Sequence, residues 1–332
     1  MKYLSINSLT SLYTNFERNN EKSTDFHLTK KNSNNKMNLS KNKIFRILIK
    51  KTNEIVILFL FVFIVLIGII LVVLLYSDSP KYSIDYLNLF IIAHKDFNNK
   101  LINPYYKIIC DNKSQLKNNY QIPIIETFEN NELYPKKRGY CEGSKIYYIW
   151  KKYKSKEMST KYVGFVHYRR FFIFKNKLPN LDKIFNKYGA ITNKKLKTKK
   201  NMKSLYSEEH FGKFFDEIEE IIKENFTQLY SSAKISLNRN ILNCCNIFIM
   251  KNEDFIKYGE FIFGVLFEFD RRYNIKTDID IKNLIESEIK KAGNKYELDY
   301  QCRQEGFLME RLSSIFYDYY FEKRYEIRVS NK

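Results

Sequence analysis

Cysteine is scarce in this chain, with five in 332 residues, and no Cys-x-x-Cys pair occurs. That rules out a disulfide-built scaffold and leaves a structural zinc site little support. The odd count also leaves at least one thiol free or intermolecular. No zinc-knuckle spacing or RNA-binding aromatic signature is present, so a nucleic-acid partner is not expected. No internal repeat is visible. Acidic residues are outnumbered, 37 Asp and Glu against 57 Lys and Arg, giving a formal net charge of +20. Such an excess reads either as lysine-rich solvated faces or as a field that favours acidic ligands, nucleotides or anionic headgroups.

Charge and proline are both missing from Ile55 to Tyr76, IVILFLFVFIVLIGIILVVLLY. At about 1.5 Å per helical residue this run reaches about 33 Å, enough to cross a bilayer's hydrocarbon core. It starts too far into the chain and is too long for a cleaved signal peptide. The 20 residues before the run carry Lys36, Lys41, Lys43, Arg46, Lys50 and Lys51, whereas the 20 after it carry only Lys81 and Lys95. The positive-inside rule then puts the N-terminus in the cytosol and the remainder across the membrane. Residues 1–54, rich in Asn, Ser and Lys, read as a disordered basic cytosolic tail. Residues 55–76 form the transmembrane helix, 77–86 a stem, and 87–322 the folded domain. All five cysteines, and the sequons at Asn112 and Asn225, lie beyond the span.

The folded domain alternates two periodicities. Leu87 to Ala93, Tyr106 to Cys110, Tyr162 to Val166, Asn246 to Met250 and a short Ala190-Ile191 read as strands. Helices are expected after Cys141, from a Ser207-Glu208-Glu209 cap through Phe211 to Ile222, from near Asn252, and from Gln304 to Phe321. The lysine-rich 274–298 stretch reads as an inserted helix or loop. Strands alternating with helices predict an α/β domain with a largely parallel sheet.

The sharpest local signal is a strand that ends in cations. Val163-Gly164-Phe165-Val166 gives way abruptly to His167-Tyr168-Arg169-Arg170. Ligands of α/β sheets gather at strand ends, and two arginines beside a histidine suit an anion such as a diphosphate. Arg169 or Arg170 is expected to clamp it; the competing reading is an arginine bracing Glu142 or Glu310. Trp150, Tyr147 and Tyr148 could stack on sugar rings, but at helical spacing Trp150 is expected in the core. His210 is expected to be structural.

Four segments in order carry a resemblance: Ala93 to Phe97; Tyr140-Cys141-Glu142 with Ile149-Trp150-Lys151; Tyr162 to Phe171; and Asn246 to Met250 with Gly306 to Leu312. The chain resembles the capsular- and exopolysaccharide-synthesis glycosyltransferase family catalogued as domain of unknown function 4422, over about residues 87–320. That resemblance implies a GT-A-like, Rossmann-type mixed sheet flanked by helices, with a nucleotide-sugar donor and an acceptor site beside it. Where the family has Glu-Leu-Thr, this chain has Glu142-Gly143-Ser144.

Under this resemblance His94, Lys95, His167, Arg169, Arg170 and Asn246 are the expected donor-binding residues. An inverting transfer needs a carboxylate base, for which Glu310 is the first candidate and Glu305 and Glu142 follow. Divalent metal is left open, and no metal ligands are assigned. The sole Asp-x-Asp, Asp278-Ile279-Asp280, lies in the 274–298 stretch and not at a strand end. The expected function is a membrane-anchored glycosyltransferase moving a sugar from a nucleotide diphosphate to a glycan or glycoconjugate. The alternative is a noncatalytic membrane-anchored binding or adhesion protein of the same fold. Nucleotide sugars occur in the lumen of the secretory pathway, so the expected location is a type II protein of the Golgi or endoplasmic reticulum. Oligomeric state is not indicated.

Overall fold

Strands β1 (Leu87–Ile92) and β4 (Tyr162–His167) are apolar on both sides, and nearly every residue in them is buried. Strands buried on both faces belong at the centre of a sheet covered by helices. A computed structural model, which describes residues 34–77, 85–97, 105–172, 174, 178–293 and 295–330, places them side by side and parallel. Around them β2 (Tyr106–Cys110), β3 (Ile124–Glu126), β5 (Ala190–Asn193), β8 (Phe248–Lys251) and β9 (Arg324–Ile327) complete a seven-stranded sheet. Its order is β3-β2-β1-β4-β8-β5-β9. A two-stranded ribbon pairs β6 (Leu196–Lys197) with β7 (Ile241–Leu242).

The sheet is mixed, as the resemblance implies, and most of its pairs are parallel. β8 runs antiparallel to both β4 and β5, while the remaining pairs are parallel. Alternate strand residues feed two cores. Phe90, Ile92, Val163 and Phe165 join the larger one, whereas Leu89, Ile91, Tyr162 and Val166 join the other. The larger core is covered by helices numbered here in chain order after α1 (Asn34–Ser77). They include α2 (Lys137–Tyr140), α3 (Gly143–Lys154), α5 (Met202–Glu209), α6 (Gly212–Asn225), α7 (Thr227–Leu237), α8 (Asn252–Arg272), α9 (Asp278–Lys291) and α11 (Gln304–Tyr320). Short α4 (Leu181–Phe185) lies on the other side, and α10 (Leu298–Gln301) precedes α11.

Several boundaries differ from expectation. Ser207–Glu209 do not start a helix; they close α5, which Asn201 caps through its side chain. The chain is extended at His210, and α6 restarts at Gly212, where a Cβ would come within 2.7 Å of the Ser207 Oγ. The 274–298 stretch holds α9, opened by a reciprocal capping box between Thr277 and Asp280. β3 and β9 carry too few apolar residues for their periodicity to show. Because β9 pairs with β5, and Val329 bridges Phe172, the folded unit runs past residue 322.

Among the described residues the N-terminal unit is one helix. α1 covers residues 34–54, which were expected to lack structure, and continues through the apolar run. Its 26-residue segment Arg46–Leu71, which contains an 18-residue stretch of mean hydropathy 3.3, is long and apolar enough to cross a membrane. The expectations for residues 1–33 and for most of the stem, 78–84, lie outside the described residues.

Candidate active site

After β1 the chain steps to β2 and β3 on one side and then returns to place β4 on the other. The strand order therefore reverses between β1 and β4, and the crevice at their carboxyl ends is where open α/β sheets take ligands. Ile92 is in register with His167 there, and the His94 and His167 rings lie 6.4 Å apart. Antiparallel β8 starts at this same edge, so the turn Cys244-Cys245-Asn246 arrives beside the ends of β4 and β5.

The crevice holds a cavity of about 480 Å³. Its wall carries five cations, Lys137, Arg138, Lys145, Arg169 and Arg303, against three carboxylates, Asp111, Glu142 and Asp278. Two cations are already matched. Lys145 pairs with Asp111 at 2.6 Å in a nearly buried ion pair, and Arg138 pairs with Asp299 at the surface. Among the described residues Arg169 has no carboxylate partner and rests over the Tyr168 ring. Arg303 likewise stacks over Tyr300 and Phe307, just before the first turn of α11. Two unmatched guanidinium groups beside a helix N-terminus make an anion site.

The two arginines of the strand end separate. Arg169 lines the cavity, whereas Arg170 turns away to donate to the Cys245 Sγ and lies near Glu310. Lys95 stands exposed beside the Tyr168 ring and is not a wall residue. His94 lies in the wall, its pKa lowered by burial and by Lys95 and Arg169. His167 is also in the wall, pushed down to about 3 chiefly by burial and then by Arg169. It is a neutral imidazole that can offer one N–H but no positive charge. Asn246 is buried, and its amide is spent on protein: Nδ2 donates to Glu142 Oε1 at 3.3 Å, and Oδ1 accepts from Ser313 Oγ at 3.1 Å. A direct donor contact by Asn246 is therefore not what the geometry provides.

The three candidate carboxylates also separate. Glu142 lines the cavity at the start of α3, its carboxyl raised first by burial and then by the nearby Glu310 charge. Glu310 sits one layer back. Its Oε1 accepts the Cys245 N–H at 2.7 Å, Oε2 meets Arg311 at 3.2 Å, and burial raises it as well. Glu305 is not at the site. It is 0 % exposed on the opposite side of α11, against Gly139 and the buried Asp270, where no acceptor could reach it.

No three His, Cys, Asp or Glu side chains converge as metal ligands among the described residues. In Asp278-Ile279-Asp280 both carboxylates cap backbone. Asp278 accepts from the Arg138 N–H at 3.0 Å, and Asp280 closes the box at Thr277. Trp150 is core, donating to the Ile256 carbonyl and filling the space above Gly259, while Tyr147 and Tyr148 are buried with it. His210 is structural, buried between Gln301 and Phe307.

Lys137, Arg138, Lys145, Asp111 and Arg303 escaped the sequence reading. Each flanks a segment that was singled out, yet only the fold brings them to one wall.

The fold has known relatives. The chain superposes on the apo structure of the bifunctional glycosyltransferase WbbM with a TM-score of 0.56 and 19 % identity, covering 74 % of this chain and 45 % of WbbM. It thus spans less than half of WbbM's length. The Mn/GDP form of core-mannan synthase A from Aspergillus fumigatus aligns over 73 % of this chain and 72 % of its own at 12 % identity, but its TM-score of 0.32 is too low to build on. No curated protein is significantly similar to the chain. A family model matches residues 88–322, nearly all of the sheet except β9 and the helices that cover it, and the chain belongs to that family, a domain of unknown function designated DUF4422.

Proposed function

We propose that this chain is a glycosyltransferase that takes a sugar from a nucleotide-diphosphate donor and passes it to a glycan or glycoconjugate. The observation that carries this reading is the cavity at the β1–β4 switch point, whose wall holds two guanidinium groups unmatched by carboxylate. Likeness of fold to a glycosyltransferase and the family match support it.

In this reading Arg169 and Arg303 receive the diphosphate, and Lys137, which also lines the cavity, adds charge. Breaking the bond from the sugar to the diphosphate builds negative charge on the leaving oxygens, and fixed donors in the crevice stabilise it. Glu142 takes the acceptor hydroxyl proton, because it alone of the three candidates lines the cavity. A carboxyl raised by burial is a stronger base near neutrality than an ordinary glutamate. Glu310 and Asn246 act behind it, one through charge and the other through a hydrogen bond. Divalent metal remains open, and no step here is routed through one.

The apolar segment of α1 supports a membrane anchor, with the basic flank in the cytosol and the catalytic unit in a Golgi or endoplasmic reticulum lumen. The test is donor hydrolysis by the detergent-solubilised full chain against a panel of nucleotide sugars. Release of nucleoside diphosphate from one donor, abolished in Glu142→Gln or Arg169→Ala, is the expected result. Binding of nucleotide without turnover of any donor, alone or with glycan acceptors, would instead favour the noncatalytic alternative.

A further inference from the structure

Two adjacent thiols sit at the edge of this site with no assigned role. Cys244 and Cys245 form the turn between β7 and β8, and both are half-buried, whereas Cys110 and Cys302 are sealed in the cores. The turn holds two successive left-handed residues, Cys245 at φ +77 and Asn246 at φ +46. Residues with side chains occupy that region at a cost of about 1–3 kcal/mol each and persist there only where the surroundings hold them.

The surroundings are specific. Cys245 N–H donates to Glu310 Oε1 at 2.7 Å, and Asn193 Nδ2 donates to the Cys244 carbonyl at 3.0 Å while reaching its Sγ at 3.6 Å. Arg170 donates to the Cys245 Sγ, and the two thiols belong to adjacent residues of this one turn. The neighbouring Cys245 thiol and the Asn193 amide lower Cys244 to about 7, toward the reactive thiolate, whereas its neighbour Cys244 and burial raise Cys245, which stays a thiol.

We infer that Cys244 and Cys245 constitute a vicinal dithiol site that takes a trivalent arsenical across both sulfurs, and that its occupation disables the adjoining cavity. With a monosubstituted arsenical oxide, two S–H bonds break and two As–S bonds form. The arsenic-bound oxygen leaves as water with both thiol protons, and no element changes oxidation state. Closing the sulfurs on arsenic removes the acceptor of Arg170. It also reshapes the turn that holds Glu310 through Cys245 and Glu142 through Asn246. The loss of function rests on the glycosyltransfer reading; the binding itself does not.

Phenylarsine oxide titrated onto the reduced full chain in detergent tests both parts. One adduct by intact mass is expected, with two fewer native thiols titratable and reversal by 2,3-dimercaptopropanol but not by glutathione. Cys244→Ser and Cys245→Ser should each weaken binding at least tenfold, and Cys302→Ala should not. If a serine variant fails to fold, mapping the arsenical-protected thiols on the wild type still decides, with protection at 244 and 245 expected. An adduct that survives either folded serine variant, or protection at other cysteines, overturns the site. An adduct that leaves nucleoside diphosphate binding and donor turnover unchanged overturns the coupling. Absence of nucleotide binding and turnover in untreated protein counts against the proposed function and not against the dithiol.

Discussion

Asn246 Nδ2 donates to Glu142 Oε1 at 3.3 Å, joining the turn before β8 to the first turn of α3. The other end of the same amide accepts from Ser313 on α11, so one buried side chain ties three elements behind the cavity wall. Asn tolerates the left-handed backbone at this position better than other side-chain-bearing residues. Asn246→Ala should therefore cost about 1–3 kcal/mol, from the lost hydrogen bonds to Glu142 and Ser313 and the strained backbone. Chemical denaturation reads this directly. An Ala variant as stable as wild type would mean the amide is not a tie.

Glu142 and Glu310 should shape the pH profile together. Burial first, and then the Glu310 charge, raise Glu142, so a base in that position loses activity on the acid side at a pH above the ordinary glutamate value of about 4.3. Glu310→Gln removes the neighbouring negative charge, and the acid limb of kcat/KM should move to lower pH. Glu142→Gln should lower turnover about 10²-fold or more while nucleotide binding persists. A limb that stays in place in Glu310→Gln would contradict the electrostatic link.

Glu305 gives a stability prediction of its own. It is fully buried beside Asp270, and desolvation followed by the Asp270 charge pushes its carboxyl well above the ordinary range. A raised folded-state value means the stabilising contribution is complete at pH below the unfolded value and is lost as pH rises through the folded value. Glu305→Gln stays neutral throughout. Its stability relative to wild type should therefore improve steadily from about pH 4 upward. Parallel pH–stability curves would show that the carboxyl is never forced to ionise.

Much of this was legible in residue patterns, for identifiable reasons. β1 and β4 announce themselves because burial on both faces demands unbroken apolar runs, and α8 and α11 because each keeps an apolar stripe over many turns. β9 and β3 stayed hidden, since edge strands such as Arg-Tyr-Glu-Ile are held by backbone pairing and not by apolar burial. Antiparallel β8 could not be told from a parallel strand, because direction leaves no mark on a buried run of four residues. At the site, the arginine pair was visible but its division of labour was not. Adjacent residues diverge at a strand end, and only the Cys245 turn shows which one is spent on the protein. Glu310 ranked ahead of Glu305, but their shared helix did not show where each one points. The five-residue offset between them sends one into the core and leaves the other behind the cavity.

The central claim is that Arg169, and not Arg170, meets the donor diphosphate at the β1–β4 switch point. The direct measurement is equilibrium binding of nucleoside diphosphates to the detergent-solubilised full chain and its Arg169→Ala and Arg170→Ala variants, at fixed salt. The account predicts that one nucleoside diphosphate binds and that Arg169→Ala weakens it about tenfold or more, as the loss of a charge-assisted hydrogen bond worth about 1.5–3 kcal/mol requires. Arg170→Ala should weaken it less and destabilise the fold more. Equal binding by wild type and Arg169→Ala, or no binding of any nucleotide by folded wild type, would contradict it.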